Sequence, residues 1–303
     1  MIMRRIFRFL DLLNFYWRRK VCRQKIPLLA SFKLTYRCNI NCMGCPFHLR
    51  VQGGDAHMSW GQAVGALNVL KESGTRIVVF EGGEPCLWQD GAHDIYELVL
   101  HAKKLFSTVA VTTNGTFPLD VPADVLWVSL DGLKETHDRL RSGSFDRVFY
   151  NLETAQHPRL FVHFTMNSEN WRDLEALLEL LKKMPSVRGA TLQLFYPYGQ
   201  GEAPLALFPE ERRAALHNAL RLKDQYPILN SRRSLKAMIE NDWPCHDDVL
   251  INVDPDGHVT AGCYAKSRGR INCCDCGFTP VAEASGALDL NIGSLIAGCR
   301  TFL

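Results

Sequence analysis

From Ser31 onward the chain alternates short β-rich runs with stretches whose apolar residues recur at helical spacing. Strand-like runs fall at 31–37, 75–80, 108–112, 125–130, 159–165 and 190–195. Helical stretches lie between them near 59–73, 91–105, 134–140 with 145–156, 170–184 and 209–225. Strands that alternate with helices in this way predict parallel βα units, in a doubly wound sheet or a barrel. In both architectures the chemistry sits in loops at the carboxyl ends of the strands. After Pro244 the texture changes to Gly, Asp and Cys with short strands, and Asp254-Pro255-Asp256-Gly257 predicts a hairpin turn. The pattern divides the chain into an arm at 1–27, a βα body at 28–235 and a small Cys-rich domain at 236–303.

The arm carries its own pattern. At about 100° per residue, Ile2, Ile6, Phe9, Leu10, Leu13, Tyr16 and Trp17 share one face. Arg4, Arg5, Arg8, Asp11, Arg18 and Arg19 fall opposite. A formal charge of +3 over 303 residues is too small to indicate a nucleic-acid partner. It conceals an asymmetry: eight cations against Asp11 alone put +7 on residues 1–27 and leave −4 on the other 276. Three uses of such a helix are open: docking its apolar face on the body, lying in a membrane interface, or receiving a partner or peptide. It makes a poor signal peptide, since charges interrupt the apolar run and no small-residue cleavage site follows.

Composition excludes several classes. With 47% hydrophobic and 22% charged residues the chain is globular rather than disordered, collagen-like or coiled coil. No run of 18 apolar residues occurs, so no transmembrane helix is expected. Eleven cysteines are too few for a disulfide scaffold at this length, yet they cluster.

Cys38, Cys42 and Cys45 follow the first strand as C-x3-C-x2-C. Structural zinc normally takes four ligands and a redox pair needs two, whereas three thiolates in one loop suit a [4Fe–4S] cluster with one iron left open. A zinc site completed by His48, or chance clustering, is the alternative. With Gly82-Gly83-Glu84-Pro85 after the second strand, this triad resembles the radical S-adenosylmethionine (SAM) superfamily over roughly residues 31–225. The resemblance implies a partial (β/α)6 barrel in which the three cysteines hold the cluster and SAM chelates the open iron. One electron then cleaves the sulfonium to methionine and a 5′-deoxyadenosyl radical, which abstracts hydrogen from a substrate. One departure is Gly44, since the residue before the third cysteine is usually aromatic in this family. Met43 or Phe47 are the candidates to fill the space near the adenine.

The resemblance also assigns the other loops. Gly82, Gly83, Glu84 and Pro85 would receive the SAM ammonium, and bare glycine backbone permits close approach. Asn114, Ser129 and Asp131 resemble the TNG and SxDG motifs that contact the SAM ribose and carboxylate, although Asn114-Gly115 is also an ordinary turn pair. Arg141 is the candidate for the SAM carboxylate and Asn167 for a further SAM contact. Tyr196-Pro197-Tyr198-Gly199 would line the substrate side. Cys86 reads as a small buried thiol, with a substrate-facing or redox role as the alternative.

Cys245, Cys263, Cys273, Cys274 and Cys276 form a second group around the expected hairpin. Four thiolates there suit zinc or a fully ligated [4Fe–4S] cluster. Behind such a barrel they resemble the Twitch or shortened SPASM domain, which implies an auxiliary cluster. Cys245, Cys263, Cys273 and Cys276 are the expected ligands, with Cys274 left over and Cys299 able to replace one of them. The expected function is hydrogen abstraction from a C–H bond of a ribosomal peptide, a lipid or a small metabolite. A flavodoxin- or ferredoxin-like donor would supply the electron, on the cytoplasmic side, where thiolates stay reduced. No leader-binding domain is evident at the amino terminus. A non-catalytic electron carrier or redox sensor is the competing class.

Overall fold

The computed structural model describes residues 2–45, 47, 56–199, 201–266 and 271–303. The side chains of residues 2–5 and 7 lie outside that description, so what was expected of Ile2, Arg4, Arg5 and His48 falls outside the described residues.

Six parallel strands pair in chain order: β1 (Leu29–Lys33), β2 (Ile77–Glu81), β3 (Thr108–Thr113), β4 (Val125–Ser129), β5 (Leu160–Met166) and β6 (Val187–Leu194). Around them run α2 (Trp60–Glu72), α3 (Ile95–Ala102), α4 (Lys134–Leu140), α5 (Phe145–Thr154), α6 (Leu174–Lys182), α7 (Pro209–Leu222) and α8 (Arg232–Glu240). Strand alternation decides which side each residue serves. Phe32, Val78, Phe80, Val111, Leu126, Val128, Val162 and Leu192 are buried in the layer shared with the helices. The opposite positions, including Ser31, Glu81, Thr112, Ser129, His163 and Thr191, all line one cavity of about 420 Å³. Only a sheet curled on itself brings one face of six strands around a single space, so the sheet is a partial barrel.

The helices form for local reasons. In α6, Leu174, Leu177, Leu178 and Leu181 recur at i, i+3, i+4 and i+7, and all four are buried. Each such side chain contributes about 1.5–3 kcal/mol on leaving water. Helix α2 starts on a capping box, with Ser59 Oγ accepting from Gln62 N at 3.2 Å and Gln62 Oε1 accepting from Ser59 N at 2.8 Å.

The carboxyl-terminal segment begins by extending the barrel's sheet. Strand β7 (Leu250–Val253) joins the barrel's own sheet, parallel to β1 with Leu29 opposite Leu250. The expected hairpin then returns as β8 (Val259–Ala261), antiparallel to β7. Two helices follow that were not foreseen, α9 (Thr279–Leu288) and α10 (Ile292–Phe302). Helix α9 leans on β6, where Thr279 Oγ1 donates to Leu192 O at 2.6 Å. Helix α10 sets Phe302 edge-on against Trp127 of β4 at 5.7 Å.

Helix α1 (Ile2–Tyr16) docks through a face that mixes charged and apolar residues. Arg8 pairs with Asp124 at 2.7 Å and donates to Ser107 O at 2.7 Å, while Asp11 pairs with Arg76 at 2.7 Å. Phe15 is the apolar residue buried among them. The apolar-face docking expected as one alternative is met only in part: Tyr16 of that face joins Leu12, Phe15, Arg8 and Asp11 against the body, while Ile6, Phe9, Leu10, Leu13 and Trp17 face away. Among the described residues, no helix is long and apolar enough to cross a membrane.

Candidate active site

The loop after β1 is fastened at both ends of the cysteine triad. Asn39 Nδ2 donates to Thr116 Oγ1 at 2.8 Å, and Met43 N to Leu140 O at 2.9 Å. Ser142 Oγ bridges Asn41, accepting from its N at 3.0 Å and donating to its O at 2.6 Å. Cys38, Cys42 and Cys45 all border the barrel cavity. Burial pushes the Cys42 thiol up to about 12, and the proximity of Cys45 and Cys38 adds to that, while the Arg141 guanidinium opposes it. Donors reach two of the sulfurs: Asn114 Nδ2 lies 3.6 Å from Cys38 Sγ, and Arg141 Nη1 lies 3.8 Å from Cys42 Sγ.

The glycines after β2 have a structural reason to be glycines. A Cβ on Gly83 would stand 2.1 Å from Arg37 O, and one on Gly82 would stand 2.6 Å from Thr35 O. The β2 loop crosses the strand exit that leads into Cys38 at a separation that only bare backbone allows. Gly83 N donates to Thr35 O at 2.8 Å and Glu84 N to Arg37 O at 2.9 Å. Gly82 and Gly83 border the cavity. Glu84 is fully buried behind them, accepting from Thr113 Oγ1 at 2.7 Å, Asn114 N at 2.7 Å and Cys86 N at 3.0 Å. Its carboxylate ties the β2 loop to the β3 loop. Pro85 opens a single 3-10 turn and is likewise buried, and Cys86, half-buried, sits beside Thr113.

Asn114 serves as a turn and as a wall of the site together. Its Oδ1 accepts from Thr116 N at 2.9 Å, while its Nδ2 donates to Asn39 Oδ1 at 2.8 Å and faces Cys38. Asp131 Oδ2 accepts from Arg141 Nε at 2.6 Å, and Asp131 Oδ1 accepts from Thr165 N at 2.8 Å. Asp131, Arg141 and Cys42 thus form a chain across the top of β4. Ser129 and Asn167 border the same cavity, and Asn167 Oδ1 also caps the following turn by accepting from Glu169 N at 2.9 Å. At Gly44, φ is +67° and a Cβ would stand 2.9 Å from the Phe195 ring. Phe195, just after β6, lies beside that position, Phe47 stacks on Tyr36 at 5.6 Å, and Met43 and Phe47 both border the cavity.

Across residues 32–183, half of the chain, the sequence matches the model of the radical SAM superfamily. The chain belongs to the radical SAM superfamily. It is an enzyme of that type, and membership implies SAM and an iron–sulfur cluster. Among curated proteins it is 28% identical over 179 residues to the Fe-coproporphyrin III synthase of Methanosarcina barkeri, covering 54% of this chain and 44% of that one. The chain thus spans under half the length of that relative. It is 25% identical over 287 residues to the AdoMet-dependent heme synthase of the same organism, covering 84% of this chain and 78% of that one. In fold it resembles Streptococcus suis SuiB bound to precursor peptide SuiA, with a TM-score of 0.65 at 14% identity, covering 92% of this chain and 67% of that one.

In this radical SAM chain the second cysteine group gathers beyond β6. Cys263 and Cys276 are buried, and Cys245, Cys273 and Cys274 are exposed. Burial raises the Cys245 thiol, and Asp247, Cys263, Cys276 and Cys273 raise it further by proximity. Cys299 lies beside Tyr16 of α1 and borders the barrel cavity. The loop is held from behind, where Asn241 Nδ2 donates to Cys273 O at 2.7 Å and Arg212 Nη2 to Cys276 O at 2.8 Å. Tyr196, Tyr198 and Phe278, with centroids 5.7 to 6.4 Å apart, line the cavity that the first triad borders and share an apolar cluster with Cys263 and Cys276. Among the described residues, no three Cys, His, Asp or Glu side chains close on a point as ligands of one metal ion. Sequence reasoning missed the polar row inside the barrel (Glu81, His163, Thr191 and Gln193), whose signal was polar residues at alternate positions of otherwise apolar strands.

Proposed function

We propose that this enzyme cleaves SAM reductively at a [4Fe–4S] cluster held by Cys38, Cys42 and Cys45 and abstracts hydrogen from a C–H bond of a bound organic substrate. The observation that carries this is the convergence of the three thiols with Asn114, Asp131 and Arg141 on one cavity at the carboxyl ends of the strands. The residues fit the group: three soft sulfur donors on one loop, two of them approached by an N–H that would stabilise the thiolate. When bound, the cluster and SAM together supply methionine and a 5′-deoxyadenosyl radical.

The chain's own residues bind and orient. Arg141, fixed by Asp131, presents a cation near Cys42 for the SAM carboxylate. Gly82 and Gly83 bring backbone to the cavity wall for the ammonium, with Glu84 bracing the loop from behind. Ser129 and Asn167 offer polar contacts to the rest of SAM. The aromatic wall of Phe195, Tyr196 and Tyr198 excludes water from the radical's path to substrate.

Cys245, Cys263, Cys273 and Cys276 would hold an auxiliary [4Fe–4S] cluster, a reading supported by Cys263 and Cys276 sharing one buried cluster and by Cys245 and Cys273 lying near enough to bear on their thiols. A flavodoxin- or ferredoxin-like donor would deliver the electron, on the cytoplasmic side. A peptide substrate is supported by the likeness to SuiB, and a tetrapyrrole by the alignment with the heme synthase over most of this chain.

Anaerobic reconstitution followed by SAM and dithionite tests the chemistry. The expected product is 5′-deoxyadenosine, absent in Cys42→Ala, and no 5′-deoxyadenosine from the wild-type chain would overturn the reading. For two [4Fe–4S] clusters, iron should approach about eight per chain, with about four left in Cys42→Ala. A wild-type value near four would remove the auxiliary cluster.

A further inference from the structure

Helix α1 docks through a mixed face of Arg8, Asp11, Leu12, Phe15 and Tyr16 and leaves most of its apolar row outside. A helix on a protein normally turns its apolar face inward and its charges to water. Here Arg8 is buried against Asp124, half-buried Asp11 pairs with Arg76 and Ser107, Arg19 makes two 3.0 Å bonds to Asp248, and Phe15 is the one fully buried apolar residue of the helix among the described side chains. The apolar row is left outside: Ile6, Phe9, Leu10, Leu13 and Trp17 are each 50–60% exposed. At 100° per residue these five fall within about 100° of arc, so they form one continuous stripe. The α9–α10 corner, joined to α1 where Tyr16 donates to Ala287 O at 2.9 Å, exposes Leu290 and Ile292 as well.

The charge beside the stripe has one sign. Lys20, Arg23 and Lys25 follow the helix and are exposed, residues 12–27 hold no Asp or Glu, and Asp11 is spent on Arg76. An apolar stripe containing Phe and Trp beside exposed cations complements the boundary between acyl chains and anionic headgroups. A protein partner would need a matching acidic apolar groove, whereas a bilayer supplies both features at any orientation in its plane.

Docking also fixes a direction. Arg76, Ser107, Asp124 and Asp248 stand just before β2, β3, β4 and β7, so α1 lies across the amino-terminal end of the barrel. The cysteine loops are at the opposite, carboxyl end. We propose that α1 seats its apolar stripe in the interface of an anionic lipid bilayer, holding the foot of the barrel against the membrane and turning the Cys38–Cys45 mouth toward water. SAM, electron donor and substrate then all approach from the aqueous side. This is independent of the chemistry proposed above, since neither cysteine group takes part.

Flotation of the full chain tests it, using vesicles of phosphatidylcholine alone and vesicles with added phosphatidylglycerol. The chain should float with the anionic vesicles, and the bound fraction should fall roughly tenfold in Leu10→Glu/Leu13→Glu/Trp17→Glu and in Lys20→Glu/Arg23→Glu/Lys25→Glu. Brominated lipid should quench the wild-type fluorescence, and Trp17→Phe should abolish that quenching even if a charged variant folds poorly. Equal flotation of wild type and both charged variants would overturn the proposal. So would persistent quenching in Trp17→Phe, because another face would then be touching lipid. A dimer by light scattering that the apolar-stripe variant dissociates would also overturn it, since a second copy would cover the stripe.

Discussion

At the residue scale, the top of β4 shows how a binding cation is held ready. Left alone, burial would lower the pKa of Arg141, but Asp131 and the Cys42 thiol raise it, so the guanidinium stays charged. His137 supports the same corner from beneath. Ser144 Oγ donates to Arg141 O at 2.8 Å, so His137 Nε2–H donates to Ser144 Oγ at 3.0 Å. Nδ1 is then the acceptor for Asp131 N at 3.1 Å, which requires the neutral ring. Burial, reinforced by Arg141, lowers the His137 pKa to about 4. A folded value below the ordinary histidine value means that the unfolded chain binds the extra proton first. Stability is therefore complete above about pH 6.5 and is lost as pH falls toward 4. Between pH 7 and pH 5 the wild type should lose about 2 kcal/mol from this group in urea titrations. His137→Gln, which cannot titrate, should flatten that interval, and an unchanged slope would show that other groups set it.

At the element scale, the two loops that form the site depend on one crossing. Gly83→Ala would put a methyl carbon 2.1 Å from Arg37 O, which is backbone and cannot swing away. The β1 exit or the β2 loop must then move, and with it Cys38, one residue beyond the contact. The expected outcome is loss of the iron held by the first triad, with the second group's iron retained, read by iron count and absorbance after reconstitution. Full iron in Gly83→Ala would mean that the crossing tolerates displacement. Legibility in the sequence follows the same line between local and remote causes. The alternation of β-rich and helical stretches located the strands from β2 to β6 and helices α2 to α7 within a few residues, because those patterns are set locally. Strand β1 runs at 29–33 rather than 31–37, since Thr35 and the residues beyond it leave the sheet to bridge His57 and cross the β2 loop. The job of Glu84 was not legible, because its three donors come from Thr113, Asn114 and Cys86 and two of them lie about thirty positions away. In α1, periodicity defined two faces but could not say which meets the body; Arg76 and Asp124, far along the chain, decide it.

At the scale of the whole molecule, the sheet runs without interruption from β8 to β6. The Cys-rich segment is therefore structurally continuous with the barrel. Strand β7 covers the edge of β1 over four register positions, from Leu29–Leu250 to Phe32–Val253. Buried Lys33 pairs at 3.3 Å with Asp254 at the hairpin turn. Phe278 packs on Tyr196 and Phe302 on Trp127, so α9 and α10 complete the wall that six strands alone leave open. Cys38, Cys42 and Cys45 border the barrel cavity, and Cys263 and Cys276 pack in the apolar cluster of Tyr196, Tyr198 and Phe278, which line that same cavity. A chain ending at residue 235 would cut α8 short and lose β7 to α10 together, exposing the backbone of β1 and the apolar faces of Trp127 and Tyr196. It should accumulate as aggregate, and the full chain should unfold in a single calorimetric transition with equal van't Hoff and calorimetric enthalpies. A soluble, monomeric 1–235 fragment with native far-ultraviolet circular dichroism would instead establish two independently folding units, and the packing of Phe278 on Tyr196 would then be a separable interface.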